Sequence, residues 1–519
     1  MPEWLKNAVF YEIYPQSFYD TDGDGVGDLE GIIRKLDYVQ QLGCNALWLN
    51  PCFDSPFNDA GYDVRNYYEI APRYGTNDGM RRLFREAHKK GMRVLLDLVP
   101  GHTSIDHEWF KRSMMGDKEF AGRYIWTDEL LERFEGVSGI SGVISGFCRR
   151  GSCAANFFST QPALNYGFAN PDPKKRWQIP TDSPDALATR AAIIDAMRFW
   201  LDAGCDGFRI DMAGSLVKGD DNQHANMELW REVRSFLDSD FPEAVIVSEW
   251  GDPKHALSAG FHMDFLLHFG PTEYMSLFRD DPYFSCGGRG DLANFVANYT
   301  EMLRSAGSNG LICIPSGNHD MPRIAHRLNE TELRLAFAFL MSMPGVPFIY
   351  YGDEIGMRYL ENVTSVEGGY ERTGTRSPMQ WNSTANAGFS SAMPENLYIP
   401  IDPSADRPTV ESQMADNGSL WHEVRQLIAL RQENIALQSE SALEFLNCGE
   451  NGYPLVYTRG TGSESIKVVL NPSSATVRLE IDNPEIMSII YGIGRAGRID
   501  GQALLLSPCS GVFLKYKAP

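Results

Sequence analysis

No window of this 519-residue chain is long and apolar enough to cross a bilayer, so no transmembrane helix is expected. Its first residues, Met1-Pro2-Glu3-Trp4-Leu5-Lys6, lack the basic segment and following apolar run of a secretory signal. Positive charge is in short supply. With 47 Lys and Arg against 68 Asp and Glu, the net charge of -21 argues against nucleic acid or an anionic membrane as partner. Cysteine is sparse too: nine scattered residues, an odd number, read with no export signal as mostly reduced thiols in a cytoplasmic protein. Cys148 and Cys153 are neighbours, but without nearby histidines they read as structural or incidental. What is left is a globular composition, long enough for two or three domains, whose acidity suits a neutral small-molecule substrate.

A repeated cadence runs through the chain. After a first strand at Val9 to Tyr14 comes a helix with Ile32, Ile33, Leu36, Val39 and Leu42 on one face, a stop at Gly43, and the strand Ala46 to Leu49. The unit recurs with Asn77 as N-cap, Met80, Leu83, Phe84 and Ala87 on the helix face, Gly91 as stop and Val94 to Val99 as strand. It recurs again with Ile193, Ile194, Met197, Phe199 and Trp200, then Gly204 and the strand of Gly207 to Ile210. Leu333 to Met343 and Val346 to Tyr351 give a last helix and strand. Alternating helix, glycine and short apolar strand means parallel strands with crossover helices, and the number of units favours a closed (β/α)8 TIM barrel over a doubly wound sheet.

The cadence breaks between His102 and about Asp182, a segment too long for a loop and read as a small inserted domain after strand 3. Beyond Leu437 the pattern changes to short alternating strands such as Ser465 to Leu470 and Gly511 to Lys515, read as a C-terminal β-sandwich domain. The expected division is 1–102 and 183–437 for the barrel, 103–182 for the insertion and 438–519 for the tail. Irregular sequence from Glu361 to Gln413 is expected to form long loops over the barrel mouth.

Several apolar runs end in acids: Asp206-Gly207-Phe208-Arg209-Ile210-Asp211, Val245 to Glu249, Ile312 to Asp320, Leu95 to His102, and Asn58 to Asp63. In a strand, residues two apart share a face, so Arg209 and Asp211 leave the strand end side by side. Taken alone, the first run reads equally as an ordinary ion pair or as an oriented carboxylate for covalent catalysis at a sugar carbon. Polar groups converging from several strand ends are the mark of a barrel active site.

The set Gly61-Tyr62-Asp63, Asp97 to His102, Gly207 to Asp211, Glu249 and Asn318-His319-Asp320 resembles, in order and spacing, the α-amylase family of glycoside hydrolases. Gln161 to Tyr166 resembles a further family motif. Arg376-Ser377-Pro378-Met379-Gln380-Trp381 is similar to the hallmark of the exo-acting α-glucosidase and trehalose synthase branches. The resemblance covers nearly the whole chain. It implies a retaining mechanism, with Asp211 as nucleophile and Glu249 as acid and base. It further implies Asp320 as the acid gripping sugar hydroxyls, His102 and His319 as hydroxyl-binding histidines, and Arg209 as partner of the nucleophile. Tyr62 is expected beneath the terminal glucose ring, and Asp63, paired with Arg372, at its outer hydroxyls. Met212 and Ser248, beside the two main acids, occupy positions that bear on linkage preference.

Asp20 to Asp28 alternates oxygen donors with glycines, which suits a hard cation, although Gly31 stands where the calcium loop of helix-loop-helix proteins has glutamate. The resemblance implies structural calcium, with magnesium as the alternative, held by Asp20, Asp22, Asp24, the Val26 carbonyl and Asp28. The expected enzyme is thus an α-glucosidase releasing glucose from short α-glucosides, as monomer or homodimer. Its rival is a trehalose synthase-like mutase or transglucosylase. An endo-acting amylase fits less well, since it should lack the Asp63 and Arg372 pair, and so does a non-catalytic transporter partner, since all three acids are present and no membrane anchor is.

Overall fold

The computed structural model describes the chain apart from residues 135–136, 271–272, 289–291, 448–451, 482–486, 496 and 517–519. Eight parallel strands form its centre: β1 (Phe10–Ile13), β2 (Ala46–Leu49), β3 (Arg93–Leu98), β4 (Gly207–Ile210), β5 (Val245–Ser248), β6 (Met263–Phe265), β7 (Leu311–Cys313) and β8 (Phe348–Tyr350). They neighbour one another in chain order, with β8 beside β1. A parallel bridge between Pro315 and Phe348 brings the end of β7 against β8, so the sheet is the wall of a (β/α)8 TIM barrel.

Side-chain alternation sorts each strand into two faces. Phe10, Ala46, Trp48, Leu95, Val245, Val247, Met263, Phe265, Leu311, Cys313 and Phe348 pack together inside the barrel. Val94, Leu96, Leu98, Phe208, Ile210 and Ile246 join the larger core under the helices. Gly207 begins β4 at φ 145°, and a Cβ there would lie 1.9 Å from Val245 O, so only glycine allows β4 and β5 to approach.

The surrounding helices begin and end where their caps dictate. Leu29–Leu42 is capped by Asp28, which accepts from Gly31 N–H, and stops at left-handed Gly43. The helix Asn77–Lys89 corrects one expectation. Thr76 is the N-cap, accepting from Gly79 N–H, while Asn77 turns back to accept from Ile70 N–H and donate to Tyr68 O. Pro184–Asp202 precedes β4, and Glu330–Ser342, closed by an Asn329/Glu332 capping box, precedes β8.

Between β3 and β4, Trp126–Thr127, Ser152–Ala155 and Gly142–Ile144 form a three-stranded antiparallel sheet. After the helix Leu420–Glu433 come a five-stranded and a three-stranded antiparallel sheet, facing each other over Val456, Val469, Leu504, Leu506, Val512 and Leu514. This is the C-terminal β-sandwich. Cys286 and Cys509 are joined in a disulfide that ties it to the barrel, so the thiols are not uniformly reduced. Six others, Cys148 and Cys153 among them, are free, and Cys448 lies outside the described residues. Among the described residues no helix is long and apolar enough to cross a membrane.

Candidate active site

Toward the carboxyl ends of the strands the inward-facing residues turn from apolar to charged. Glu12, Asp97 and Arg209 sit one layer above the apolar plug, and Asp97 lies opposite Arg209 in the ladder. The buried Arg209 guanidinium donates through Nη1 to Asp97 Oδ1 at 2.8 Å and to Asp211 Oδ1 at 2.9 Å. Its Nη2 lies 2.9 Å from Glu249 Oε2. One cation thus spans three carboxylates from β3, β4 and β5 and holds Asp211 and Glu249 on the same guanidinium. Just past Asp211 the chain turns through Met212, held left-handed at φ 45°, which lets its N–H donate to Glu249 Oε2 at 3.0 Å.

Burial pushes the Asp211 carboxyl up to about 6 against the pull of Arg209. Burial pushes Glu249 further, to about 7, again against Arg209 but with the nearby Asp211 and Asp320 charges adding to it. Both acids are thus held above the usual carboxylate range and titrate as one coupled pair. Burial would also raise Asp320, yet His319, Arg376 and Arg372 hold it well below the usual carboxylate range.

These groups face a cavity of about 650 Å³ at the barrel mouth. Tyr62, His102, Asp211, Glu249, Asp320 and Arg372 line it, and Phe157, Phe158, Trp250, Phe269 and Tyr370 form an aromatic entrance. Met212 is part of the lining, whereas Ser248 is fully buried with its Oγ on Asp264 Oδ1. Arg209 and His319 stand behind the lining. His319 is fully buried and reaches the cavity only through Tyr62 and Asp320.

Asp63 is not at the cavity, which corrects its expected pairing with Arg372. Tyr62 faces the cavity, so the next residue points away. The Asp63 carboxylate accepts from Ser55 Oγ, Asn58 N–H and Asp59 N–H, tying its own loop together. Asp59 takes the expected place instead, with Oδ1 3.7 Å from Arg372 Nη2. Arg372 also donates through Nη1 to Asp320 Oδ1 at 3.0 Å. Residue reading by motif did not single out Arg376 as a site residue, although it donates to Asp320 Oδ1 at 2.8 Å and to His319 O at 2.9 Å. Its motif was visible, and only its partner was not. His268, in the lining just past the three residues of β6, carried no signal at all.

The loop at Asp20 to Asp28 lies apart from this cavity. Carboxylate oxygens of Asp20, Asp22 and Asp28 converge within 4.8 Å. Burial, with Asp24 and Asp20 beside it, raises the Asp22 carboxyl. Backbone N–H groups of Asp22, Gly23 and Gly25 donate to Asp20 and fold the loop tightly. Among the described residues no ion pair neutralises Asp20, Asp22, Asp24 or Asp28. Hard oxygen donors crowded without a protein cation fit a divalent ion such as calcium.

The family description "Alpha amylase, catalytic domain" matches residues 12–440. The chain belongs to the α-amylase family of glycoside hydrolases. Within that family it is 33% identical to "Trehalose synthase/amylase TreS" of Mycobacterium tuberculosis (strain ATCC 25618 / H37Rv), over 93% of this chain and 84% of the relative. It is 32% identical to "Oligo-1,6-glucosidase" of Bacillus sp. (strain F5), over 84% of this chain and 94% of that one. Among solved structures, the alpha-glucosyl transfer enzyme XgtA superposes with a TM-score of 0.82 at 28% identity, covering both chains completely. These similarities place the protein among α-amylase family enzymes of the glucosidase type, the exo-acting side of the family.

Proposed function

We propose that the protein is a retaining, exo-acting α-glucosidase that removes terminal non-reducing glucose from short α-glucosides of the maltose type. The observation that carries this reading is the shared guanidinium. Asp211 and Glu249 both pair with Arg209, each at 2.9 Å. Retaining pairs stand about 5 to 5.5 Å apart, whereas inverting pairs are held roughly 6.5 to 9.5 Å apart to admit a water.

In this reading ionised Asp211 attacks the anomeric carbon and forms a glycosyl ester. The bond to the leaving oxygen breaks as Glu249 gives that oxygen its proton. Glu249, now the base, takes a proton from water, which displaces Asp211 and releases glucose. Arg209 keeps Asp211 ionised. Asp320 grips hydroxyls of the bound ring, Tyr62 offers its face beneath it, and His102 reaches a further hydroxyl. Arg372, spanning Asp320 and Asp59, shuts the cavity behind the ring, so that a chain end enters and an internal segment does not. Asp20, Asp22, Asp24, the Val26 carbonyl and Asp28 would hold a calcium ion, which supplies charge neutralisation to that loop. The site of action in this reading is the cytoplasm.

A panel of maltose, isomaltose, trehalose, sucrose and maltotriose, followed by chromatography and by NMR of the first-formed glucose, tests the proposal. The expected product is α-glucose from at least one of these substrates, and β-glucose as first product would overturn retention. A second reading, maltose glucosylmutase or transglucosylase, is favoured by the 33% identity to the trehalose synthase/amylase. It shares every acid and differs in the fate of the ester. Trehalose in place of glucose from maltose would decide for it.

A further inference from the structure

Beneath the cavity floor lies a buried pair that the reaction described above does not use. Glu12, at the inner face of β1, and His319 are both fully buried, with Nδ1 3.0 Å from Glu12 Oε1. Bare lone pairs on both atoms would repel at that separation, so a proton lies between them. On its other side, His319 Nε2 lies 2.6 Å from Tyr62 OH and 3.3 Å from Asp320 Oδ2. Tyr62 OH in turn donates to Asp97 Oδ2 at 3.1 Å, and Asp97 Oδ1 accepts from Arg209, which holds Asp211.

These contacts form one chain from Glu12 to Asp211, and its direction depends on His319. With hydrogens on both nitrogens, His319 donates to Glu12 and to Tyr62, which leaves the tyrosine hydrogen for Asp97. With a hydrogen on Nδ1 alone, Tyr62 must donate to Nε2, Asp97 loses that donor, and a ring lone pair faces the Asp320 carboxylate. We propose that Glu12 is a positioning residue that keeps His319 doubly protonated and thereby directs the hydrogen-bond chain through Tyr62 and Asp97 to Asp211. This rests on the glucosidase reading for its catalytic consequence, though not for the protonation state itself.

The surroundings support that direction. Glu12, Asp320 and Asp97 bring negative charge toward the ring from β1, β3 and the β7 loop, while Arg209 and Arg376 lie on the far sides of Asp97 and Asp320. Burial opposes the imidazolium, but Asp320 and Glu12 outweigh it and raise His319 to about 9. Asn50 Nδ2 donates to Glu12 Oε1 at 3.2 Å and, standing 3.0 Å from Nδ1, cannot also donate there while that nitrogen carries hydrogen. It can stabilise the Glu12 charge but cannot replace it.

The test is Glu12→Gln, which keeps size and hydrogen bonding and removes the charge. The His319 ring nitrogens are followed by NMR against pH in both proteins, beside the pH profile of kcat/KM on an aryl α-glucoside. In the wild type, His319 is expected to be doubly protonated at pH 7. In Glu12→Gln its titration moves down by at least about one pH unit from about 9, and the fall of kcat/KM that follows it on the far alkaline side, beyond the limb set by Glu249, moves down with it. A wild-type His319 already neutral at pH 7 would overturn the proposal, with no variant needed. So would a folded Glu12→Gln whose His319 titration and pH profile match the wild type, even at a lower melting temperature. Absence of glucosidase turnover in the wild type would sink the functional reading alone, because the NMR titration needs no turnover.

Discussion

Arg372 Nη1 donates to Asp320 Oδ1 at 3.0 Å while its Nη2 stands 3.7 Å from Asp59 Oδ1, so a single guanidinium straps two walls of the cavity together. Among the described residues Asp59 Oδ1 accepts no hydrogen bond, which leaves it for a sugar hydroxyl, and a hydrogen bond to a charged group is worth about 1.5 to 3 kcal/mol. Asp59→Ala is therefore expected to raise KM for maltose about tenfold or more while the protein melts near the wild-type temperature. Asp63→Ala is expected to do the reverse. It leaves the Asn58 and Asp59 N–H groups without their acceptor, at a cost of about 1 to 3 kcal/mol, and shows first in the melting curve. Equal effects of both variants on KM would contradict the assignment of Asp59 to the cavity.

Asp211 and Glu249, raised to about 6 and about 7 and titrating as one coupled pair, predict a narrow bell in kcat/KM. The nucleophile must be ionised, so activity rises with pH through the lower value. The acid must keep its proton, so activity falls through the higher one, and the two limbs belong to the coupled pair. Glu249→Gln, assayed with a good aryl leaving group, should lose the fall near pH 7, keep only the later one that follows His319, and release a burst of phenol followed by slow turnover. An alkaline limb unchanged in that variant would assign it to another group.

Asp211→Asn is expected to lower kcat by roughly three powers of ten or more, since covalent attack has no substitute at that carbon. Its fold should persist, because Arg209 keeps Asp97 and Glu249 as partners. Near-normal turnover in a correctly folded variant would remove Asp211 from the chemistry.

A calcium ion held at the Asp20 loop would stabilise by mass action, about 2.7 kcal/mol when free ion exceeds its Kd a hundredfold. Chelation is expected to lower the melting temperature and added calcium to restore it, with the Asp20→Ala variant insensitive to both. A wild-type melting curve indifferent to chelator would leave the loop an acidic turn without metal.

The Cys286–Cys509 pair is expected to leave seven titratable thiols of the nine in denatured, unreduced protein. Nine thiols without reductant would show that the pair stays open.

The repeat of helix, glycine and short apolar strand was enough to read a parallel barrel, because period-two and period-3.6 patterning is local and survives in one dimension. Strand-end acids were legible for the same reason: Arg209 and Asp211 share a face by spacing alone. Edges were less so. Thr76 displaced Asn77 as cap because two adjacent residues both offered an oxygen, and only the path of the preceding strand gave Asn77 a different partner.

Pairings were what the chain order could not carry. Whether Asp59 or Asp63 meets Arg372, which acids Arg209 spans, and that Cys286 meets Cys509 all depend on contacts between segments distant in the chain. The sequence by itself determined the barrel, its repeat and the chemical types gathered at the strand ends. Only the tertiary structure decided which of those groups touch, because side-chain direction in an irregular loop follows from packing rather than from any local period.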